Sequence, residues 1–154
     1  MKMTFRILAF VLFVTLLVPG CKPKGLEGLV PAGGQVLYDD NALEGAIVTF
    51  SPKSGTGRSA TATTDANGMF VVGTMNPKDG TFPGEYQVTV TKYIVENPMT
   101  DEEIVEYTNK YNVGPEIISK SQLPTKYGTF STSGLSASVP EKGVKDLKFE
   151  LKSK

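Results

Sequence analysis

Gly84-Glu-Tyr-Gln-Val-Thr-Val-Thr-Lys92 carries the clearest β-strand pattern in this chain. Successive side chains of a strand point to opposite faces, so Tyr86, Val88 and Val90 share one face. The alternate positions are polar, namely Glu85, Gln87, Thr89 and Thr91. One apolar and one polar face are typical of a strand whose sheet covers a core on one side only. The pattern therefore predicts a β-sheet with a single buried face.

Six more segments of strand type surround this one and are separated by turns rich in Gly, Pro and Asn. They are residues 34–38, 45–50, 59–64, 69–72, 133–139 and 144–151. Seven short strands at close spacing predict an all-β fold, an antiparallel seven-stranded sandwich. Asp65-Ala-Asn-Gly68 predicts a hairpin with a type I′ turn, because Asn-Gly supplies the two positive φ angles that this turn needs.

Residues 94–122 interrupt the succession of strands. Thr100 and Glu103 have the capping-box spacing, which predicts a helix over about Asp101–Tyr111. Two non-helical pieces are expected to follow, an irregular stretch at 112–122 and a short extended one at 123–127. The expected fold is therefore a sandwich with a short helical insertion at one end.

The first 21 residues have the composition of an export signal. Lys2 and Arg6 precede an apolar run at residues 7–18, and Cys21, the only cysteine, follows Pro19-Gly20. A basic start, a short apolar segment and small residues before a cleavage point describe a secretory signal peptide. The apolar run is about 12 residues long, well short of the roughly 20 that a membrane-spanning helix needs.

A single cysteine directly after such a segment resembles the lipobox of bacterial lipoproteins. The resemblance implies that residues 1–20 are removed and that Cys21 becomes an acylated first residue. Several acyl chains on one cysteine give firm membrane attachment. Residues 21–32 are then a lipid-anchored tether, and Lys22 resembles the class sorted to the outer membrane, on its periplasmic or surface side. An ordinary secretory signal and a transmembrane anchor stay open as alternatives.

Composition narrows the chemistry. The chain has 16 basic and 16 acidic residues, and loss of Lys2 and Arg6 leaves 14 against 16, or −2. This balance gives no electrostatic footprint for nucleic acid. The chain has no histidine, which is the commonest general base and metal ligand, and no G-x-S-x-G nucleophile motif. We therefore predict a protein that is not an enzyme, with no cofactor and no metal site.

In four segments a predicted core strand lies next to a tight turn. They are Gly34–Tyr38, Leu43–Phe50, Thr64–Phe70 and Pro83–Val90. These segments resemble the carboxypeptidase regulatory-like, or transthyretin-like, domains of bacterial surface proteins. With 123–127, 133–135 and the lipobox, the chain is similar to short lipoproteins of planctomycete-type bacteria. The resemblance covers about residues 33–152 and implies a transthyretin/Ig-like β-sandwich over residues 33–154. Its motifs specify a fold rather than a ligand.

Tyrosines concentrate in or near the insertion, and Tyr107, Tyr111 and Tyr127 are the candidate contacts for a ligand or partner. Exposed aromatic rings can stack on a sugar or a protein partner, whereas buried rings would fasten the insertion to the sandwich. The expected function is a non-catalytic cell-envelope lipoprotein that presents its sandwich as a structural or protein-interaction module. The alternative is a carbohydrate- or peptide-binding module of an envelope assembly. The expected partners are the membrane, through Cys21, and envelope proteins or glycans.

Two polar clusters are considered as a cation site and as a pair of catalytic carboxylates, and both interpretations are less favoured than a structural role. Asp65-Ala-Asn-Gly68 lacks the ligand spacing of a calcium loop, so the turn is favoured over a weak surface cation site with Asp39 and Asp40. Four charged residues lie in the predicted helix, namely Glu102, Glu103, Glu106 and Lys110. A solvated helix face is favoured there over paired catalytic carboxylates.

Overall fold

The computed structural model describes residues 26–55 and 57–154. Cys21, the predicted signal peptide and most of the predicted tether lie outside the described residues. The elements in chain order are β1 (Ala32–Tyr38), β2 (Asn41–Ala42), β3 (Ile47–Pro52), β4 (Ala60–Thr63), β5 (Met69–Val71), β6 (Gly84–Thr91), β7 (Tyr93–Val95), α1 (Asp101–Tyr111), β8 (Ser119–Ser121), a 3₁₀ helix (Thr125–Gly128), β9 (Leu135–Val139) and β10 (Val144–Leu151). The prediction of an all-β fold is confirmed.

The strands form two four-stranded sheets and a small ribbon. In the first sheet the order is β10-β1-β2, and β5 also pairs with β1. The second sheet has the antiparallel order β4-β3-β6-β9, and β7 pairs with β8 in the ribbon. β1 and β10 run parallel, so the prediction of a purely antiparallel, seven-stranded arrangement is wrong. The additional strands, β2, β7 and β8, have only two or three residues each, too few to show an alternating pattern.

The two four-stranded sheets share one aromatic core. Phe50, on β3, lies 6.2 Å from Phe70 and 6.2 Å from Phe149, measured between ring centroids. Phe70 and Phe149 belong to the other sheet, on β5 and β10. Tyr86 completes the group at 5.6 Å from Phe50. Burying one such side chain stabilises the fold by about 1.5–3 kcal/mol, so these rings contribute much of what holds the sheets together.

β6 has the buried face that its sequence predicts, since Tyr86, Val88 and Val90 are at most 2% exposed. Its other face is not wholly solvated, because Thr89 is also buried. The 3₁₀ helix lies against β6. The extended conformation predicted for 123–127 is therefore wrong. Pro124 starts a tight turn instead, in which its carbonyl accepts a 3.1 Å hydrogen bond from the Tyr127 N–H.

The hairpin before β5 forms where it was predicted but with a different turn. Gly68 has a φ of 71°, whereas Asn67 is not in the left-handed region, so a type I′ turn is wrong here. Asp65 decides the geometry, because its Oδ1 accepts from the Asn67 and Met69 N–H groups, each at 2.9 Å. Positive φ angles at two consecutive residues occur instead at Asp39-Asp40, between β1 and β2.

The fold begins slightly earlier than the sequence predicts. Val30 donates to the Thr81 carbonyl at 2.8 Å and accepts from its N–H at 3.0 Å. The Pro31 carbonyl accepts from the Val144 N–H at 2.8 Å. β1 then starts at Ala32, so the last residues assigned to the tether are hydrogen-bonded into the domain.

Candidate functional site

Residues 93–122, hereafter the arm, differ from the rest of the described chain because none of them is buried. The arm consists of the β7–β8 ribbon and of α1, which lies between its two strands in the chain. α1 has the predicted bounds of Asp101 and Tyr111. The remaining described residues, hereafter the body, contain the core. The arm is therefore a part of the fold whose side chains are all at least partly exposed.

α1 is stabilised by its ends rather than by burial. Thr100 Oγ1 accepts from the Glu103 N–H at 3.2 Å, and the Glu103 carboxylate accepts from the Thr100 N–H at 2.7 Å. This is the predicted capping box, which stabilises a helix by about 0.5–2 kcal/mol. At the other end Asn112 is left-handed, and its N–H donates to the Thr108 carbonyl at 2.8 Å. Both ends of the helix are thus capped, although none of its residues is buried.

Asn97 joins the two ends of the arm, a role that the sequence did not reveal. Its Nδ2 donates to the Glu116 carbonyl at 2.7 Å, and its Oδ1 accepts from the Ile118 N–H at 2.8 Å. A side-chain amide can thus continue the ribbon beyond β7 and β8. Asn97 precedes a proline, which marks it only as a chain breaker, so its partners could not be found from spacing.

A small groove of about 200 Å³ lies between α1 and the segments that flank it. Its lining is mostly apolar and comprises Val95, Asn97, Pro98, Met99, Ile104, Pro115, Glu116 and Ile117. Ile117 is 65% exposed and Val95 is 48% exposed, so the apolar walls of the groove are open to solvent. On another side of α1 the residues at the surface all belong to the helix itself, so no second segment of the described chain faces it there.

Exposed apolar side chains concentrate on the arm. Eight of the thirteen large apolar side chains that are exposed in the described residues belong to it. They are Tyr93, Ile94, Val95, Val105, Tyr111, Val113, Ile117 and Ile118. Isolated exposed apolar residues are ordinary, whereas these eight belong to one segment of the chain.

The three tyrosines predicted as contacts separate into two groups. Tyr107 and Tyr111 lie together on α1 with ring centroids 4.6 Å apart, and Lys110 Nζ is 5.1 Å from the Tyr111 ring. Tyr111 is 53% exposed, so its ring is available for stacking. Tyr127 is only 6% exposed and its hydroxyl accepts from the Lys152 N–H at 2.9 Å. Tyr127 is therefore a packing residue of the body, and its assignment as a contact needs correction.

The arm is acidic. It contains six carboxylates and two lysines, a net charge of −4. Among the described residues, only one of these carboxylates pairs with a lysine, where Glu96 lies 3.6 Å from Lys120. Glu103 is used by the helix cap, and Glu102 and Glu106 are exposed. The helix carboxylates thus form a solvated face, as favoured from the sequence.

The aspartates considered for a cation site are used by the fold. Both carboxylate oxygens of Asp40 accept from Lys152 Nζ at 2.8 Å, and the ammonium lowers the pKa of Asp40. Asp39 Oδ1 accepts from the Ser153 N–H at 3.1 Å, while Asp65 holds its own turn. Within residues 26–55 and 57–154 no group of three or more His, Cys, Asp or Glu side chains is arranged to hold a metal ion.

Asp79 organises the loop before β6. Its Oδ1 accepts from the Thr74 N–H at 2.6 Å, and its Oδ2 accepts from the Met75 and Asn76 N–H groups at 3.2 and 2.8 Å. Partial burial raises the pKa of the Asp79 carboxyl, but the three backbone amides outweigh burial and the pKa is lowered. The group is therefore a structural anion rather than a proton donor.

A wider groove of about 610 Å³ lies on the body beside β4 and β5. Its lining includes Ile47, Thr63, Val71 and Met75, and its one charged member is Lys78. No helix among the described residues is both long enough and apolar enough to cross a membrane.

Comparison with known proteins assigns no family. No protein-family model matches the chain, and no curated protein matches it. Among solved structures, a 9R-lipoxygenase from Cyanothece matches over 88% of this chain with 14% identity and a TM-score of 0.36. The chain spans about 18% of the length of that lipoxygenase. Similarity at this level carries no argument about fold or activity.

Proposed function

We propose that this chain is a non-catalytic lipoprotein of the cell envelope whose transthyretin-like β-sandwich presents the arm as a protein-interaction surface. The observation that carries the proposal is the concentration of exposed apolar side chains on an arm that buries none of its residues. Keeping apolar side chains exposed to water costs free energy unless a partner covers them. The absence of histidine from the sequence is consistent with action by contact.

The sandwich is supported by the way in which the two four-stranded sheets enclose the Phe50, Phe70 and Phe149 rings. The turns of the four segments that resemble transthyretin-like domains lie at the ends of these strands. On this proposal the body is a rigid support, and the arm is inserted between two of its strands, β6 and β9.

The lipid anchor is supported by Lys2, Arg6 and the apolar run at 7–18, with Cys21 directly after it. The test is to express Cys21→Ser and the neighbouring control Pro23→Ser, and to follow membrane fractionation and incorporation of radiolabelled palmitate. We expect the wild-type chain and Pro23→Ser to be labelled and to sediment with membranes, and Cys21→Ser to do neither. An unlabelled wild-type chain would contradict the anchor.

The interaction surface is tested by placing a photo-crosslinking amino acid at Ile117, on the arm, or at Ile47, on the body. Both positions carry an exposed isoleucine, at 65% and 46%, so they are matched in chemistry. Irradiation of intact cells is expected to give a discrete cross-linked product from position 117 and none from position 47. Equal products from both positions, or none from position 117, would contradict the proposal.

A carbohydrate-binding module is the second candidate function, and the Tyr107–Tyr111 pair favours it. The exposed Tyr111 ring beside Tyr107 offers a face on which a sugar ring can stack. Sedimentation of the protein with insoluble peptidoglycan, compared between the wild-type chain and Tyr111→Ala, tests this function. Loss of sedimentation in the variant alone would favour it over the protein-interaction module.

A further inference from the structure

We propose that the arm binds a protein segment that places one large apolar side chain, Phe or Leu, in the groove beside α1 and carries Lys or Arg on both sides of it. This inference rests on the proposed interaction function and adds the chemistry of the partner. Two independent features of the arm carry it, the size of its apolar groove and the sign of its charge.

The groove has the right size for one side chain. Its volume is about 200 Å³, and an apolar cavity of about 150 Å³ is known to hold a benzene molecule. Ile104 forms the helix side of the groove, and Val95 and Ile117 contribute to its rim. Because these two rim residues are about half exposed or more, an entering ring would remove their apolar surface from water together with its own.

The charge of the arm selects a basic partner. The arm has six acidic and two basic residues, whereas the body has ten of each among its described residues. The excess of negative charge is thus confined to the element that carries the groove, and Glu116 belongs to the groove lining. Complementary charge around an apolar contact raises the rate of association and fixes the register of the partner.

The same two features argue against other occupants. A second copy of the arm would bring −4 against −4, and like charges across an interface are unfavourable. An anionic membrane surface attracts basic segments and repels an acidic one. A sugar needs hydrogen bonds, but the amide of Asn97, one of two polar residues in the lining, is already bonded to the backbone at Glu116 and Ile118.

The test uses the protein isolated from its membrane fraction and reconstituted in neutral phosphatidylcholine vesicles. The probe is a fluorescent heptapeptide with a central Phe between two runs of three Lys, and binding is followed by anisotropy. One control peptide has a central Ala, and a second has Glu in place of every Lys. We expect the Ala peptide to bind at least about tenfold more weakly, since it buries no ring, and the Glu peptide not to bind.

Matched variants locate the site. Ile117→Ser removes apolar surface at the groove and is expected to weaken binding of the Phe–Lys peptide by about fivefold or more. Ile47→Ser makes the same change at an exposed position of the body and is expected to leave binding unchanged. Glu116→Gln is expected to weaken binding by about twofold to fivefold, and the control Glu141→Gln, in the turn between β9 and β10, is expected to have no effect.

The inference would be overturned if the Phe and Ala peptides bound equally, or if Ile117→Ser bound as well as Ile47→Ser. Concentration-dependent dimerisation that Ile117→Ser abolishes would also overturn it, in favour of a second copy. These outcomes are distinguishable from failure of the proposed function. Cross-linking at position 117 in cells without peptide binding would keep the interaction module and reject only this partner chemistry.

Discussion

At the scale of the residue, close backbone contacts and buried hydrogen bonds explain why particular residue types stand at particular positions. Gly34, on β1, lies where β10 passes, and a Cβ built on it would overlap the Leu147 carbonyl oxygen. Thr81 is fully buried, and its Oγ1 donates to the Tyr86 hydroxyl at 3.0 Å, which in turn donates to Phe82 O at 2.8 Å. A buried tyrosine needs such a chain of partners, because an unpaired hydroxyl would cost about 1–3 kcal/mol.

Gly34→Ala tests the close approach of β1 and β10. Because the added methyl group meets backbone rather than a movable side chain, we expect a loss of about 2–4 kcal/mol in the free energy of unfolding. The control is Gly114→Ala, where a Cβ would meet nothing within 4 Å. Urea denaturation measures both variants. A Gly34→Ala chain as stable as Gly114→Ala would show that the two strands can separate at no cost.

Asp79→Asn tests the loop that its carboxylate organises. The folded pKa of Asp79 is lowered, so its charge adds stability above the unfolded pKa, and this stability is lost as the pH falls through the folded value. We expect Asp79→Asn to cost about 1 kcal/mol at pH 7, and this cost to shrink as the pH falls below the unfolded value of about 3.9. Asp146→Asn, at an exposed position, is the control when thermal unfolding is followed across this range.

At the scale of the element, interactions between residues that are close in sequence could be predicted. Pairings between segments that are distant in sequence could not. The capping box at Thr100 and Glu103 lies within four residues, and α1 has the bounds it predicts. The buried face of β6 follows from alternation along one strand. The parallel pairing of β1 with β10 depends on contacts such as Val36 with Phe149. Local sequence spacing does not predict these contacts.

The candidate site shows the same limit. Tyr107 and Tyr111 are four residues apart on a predicted helix, so their contact could be expected. Tyr127 follows the arm closely in sequence but lies in the core, since the chain returns to the body at Leu123. The groove depends on the hydrogen bonds of Asn97 to Glu116 and Ile118, and no spacing rule connects those positions.

Thr100→Ala tests the independence of α1. Because no residue of this helix is buried, its caps decide whether it forms, and an isolated helix of this length is marginal in water. We expect faster amide hydrogen exchange over residues 101–111, by about fivefold or more for a lost cap of about 1 kcal/mol, with unchanged exchange in β6. Thr125→Ala, at an exposed threonine without a capping bond, is the control. Protection that survived in Thr100→Ala would show that other contacts hold the helix.

At the scale of the whole molecule, stability and surface are divided between two parts. All eighteen buried apolar residues of the described chain lie in the body, and none lies in the arm. The arm has instead most of the exposed large apolar side chains and a net charge of −4. The arm thus adds no buried residue to the core and exposes apolar surface, which is what the proposed interaction function requires.

If the arm serves contact and not the fold, as proposed, calorimetry of a chain without the arm will show a body that still folds. Tyr93 and Ser121 are paired across the ribbon, so a short Gly-Ser linker can replace residues 94–120. We predict one cooperative transition with a Tm within about 4 °C of the wild-type value, the shift that roughly 1 kcal/mol gives a domain of this size. A fall of more than about 10 °C, or loss of the cooperative transition, would contradict the account, because the arm would then be part of what holds the body together.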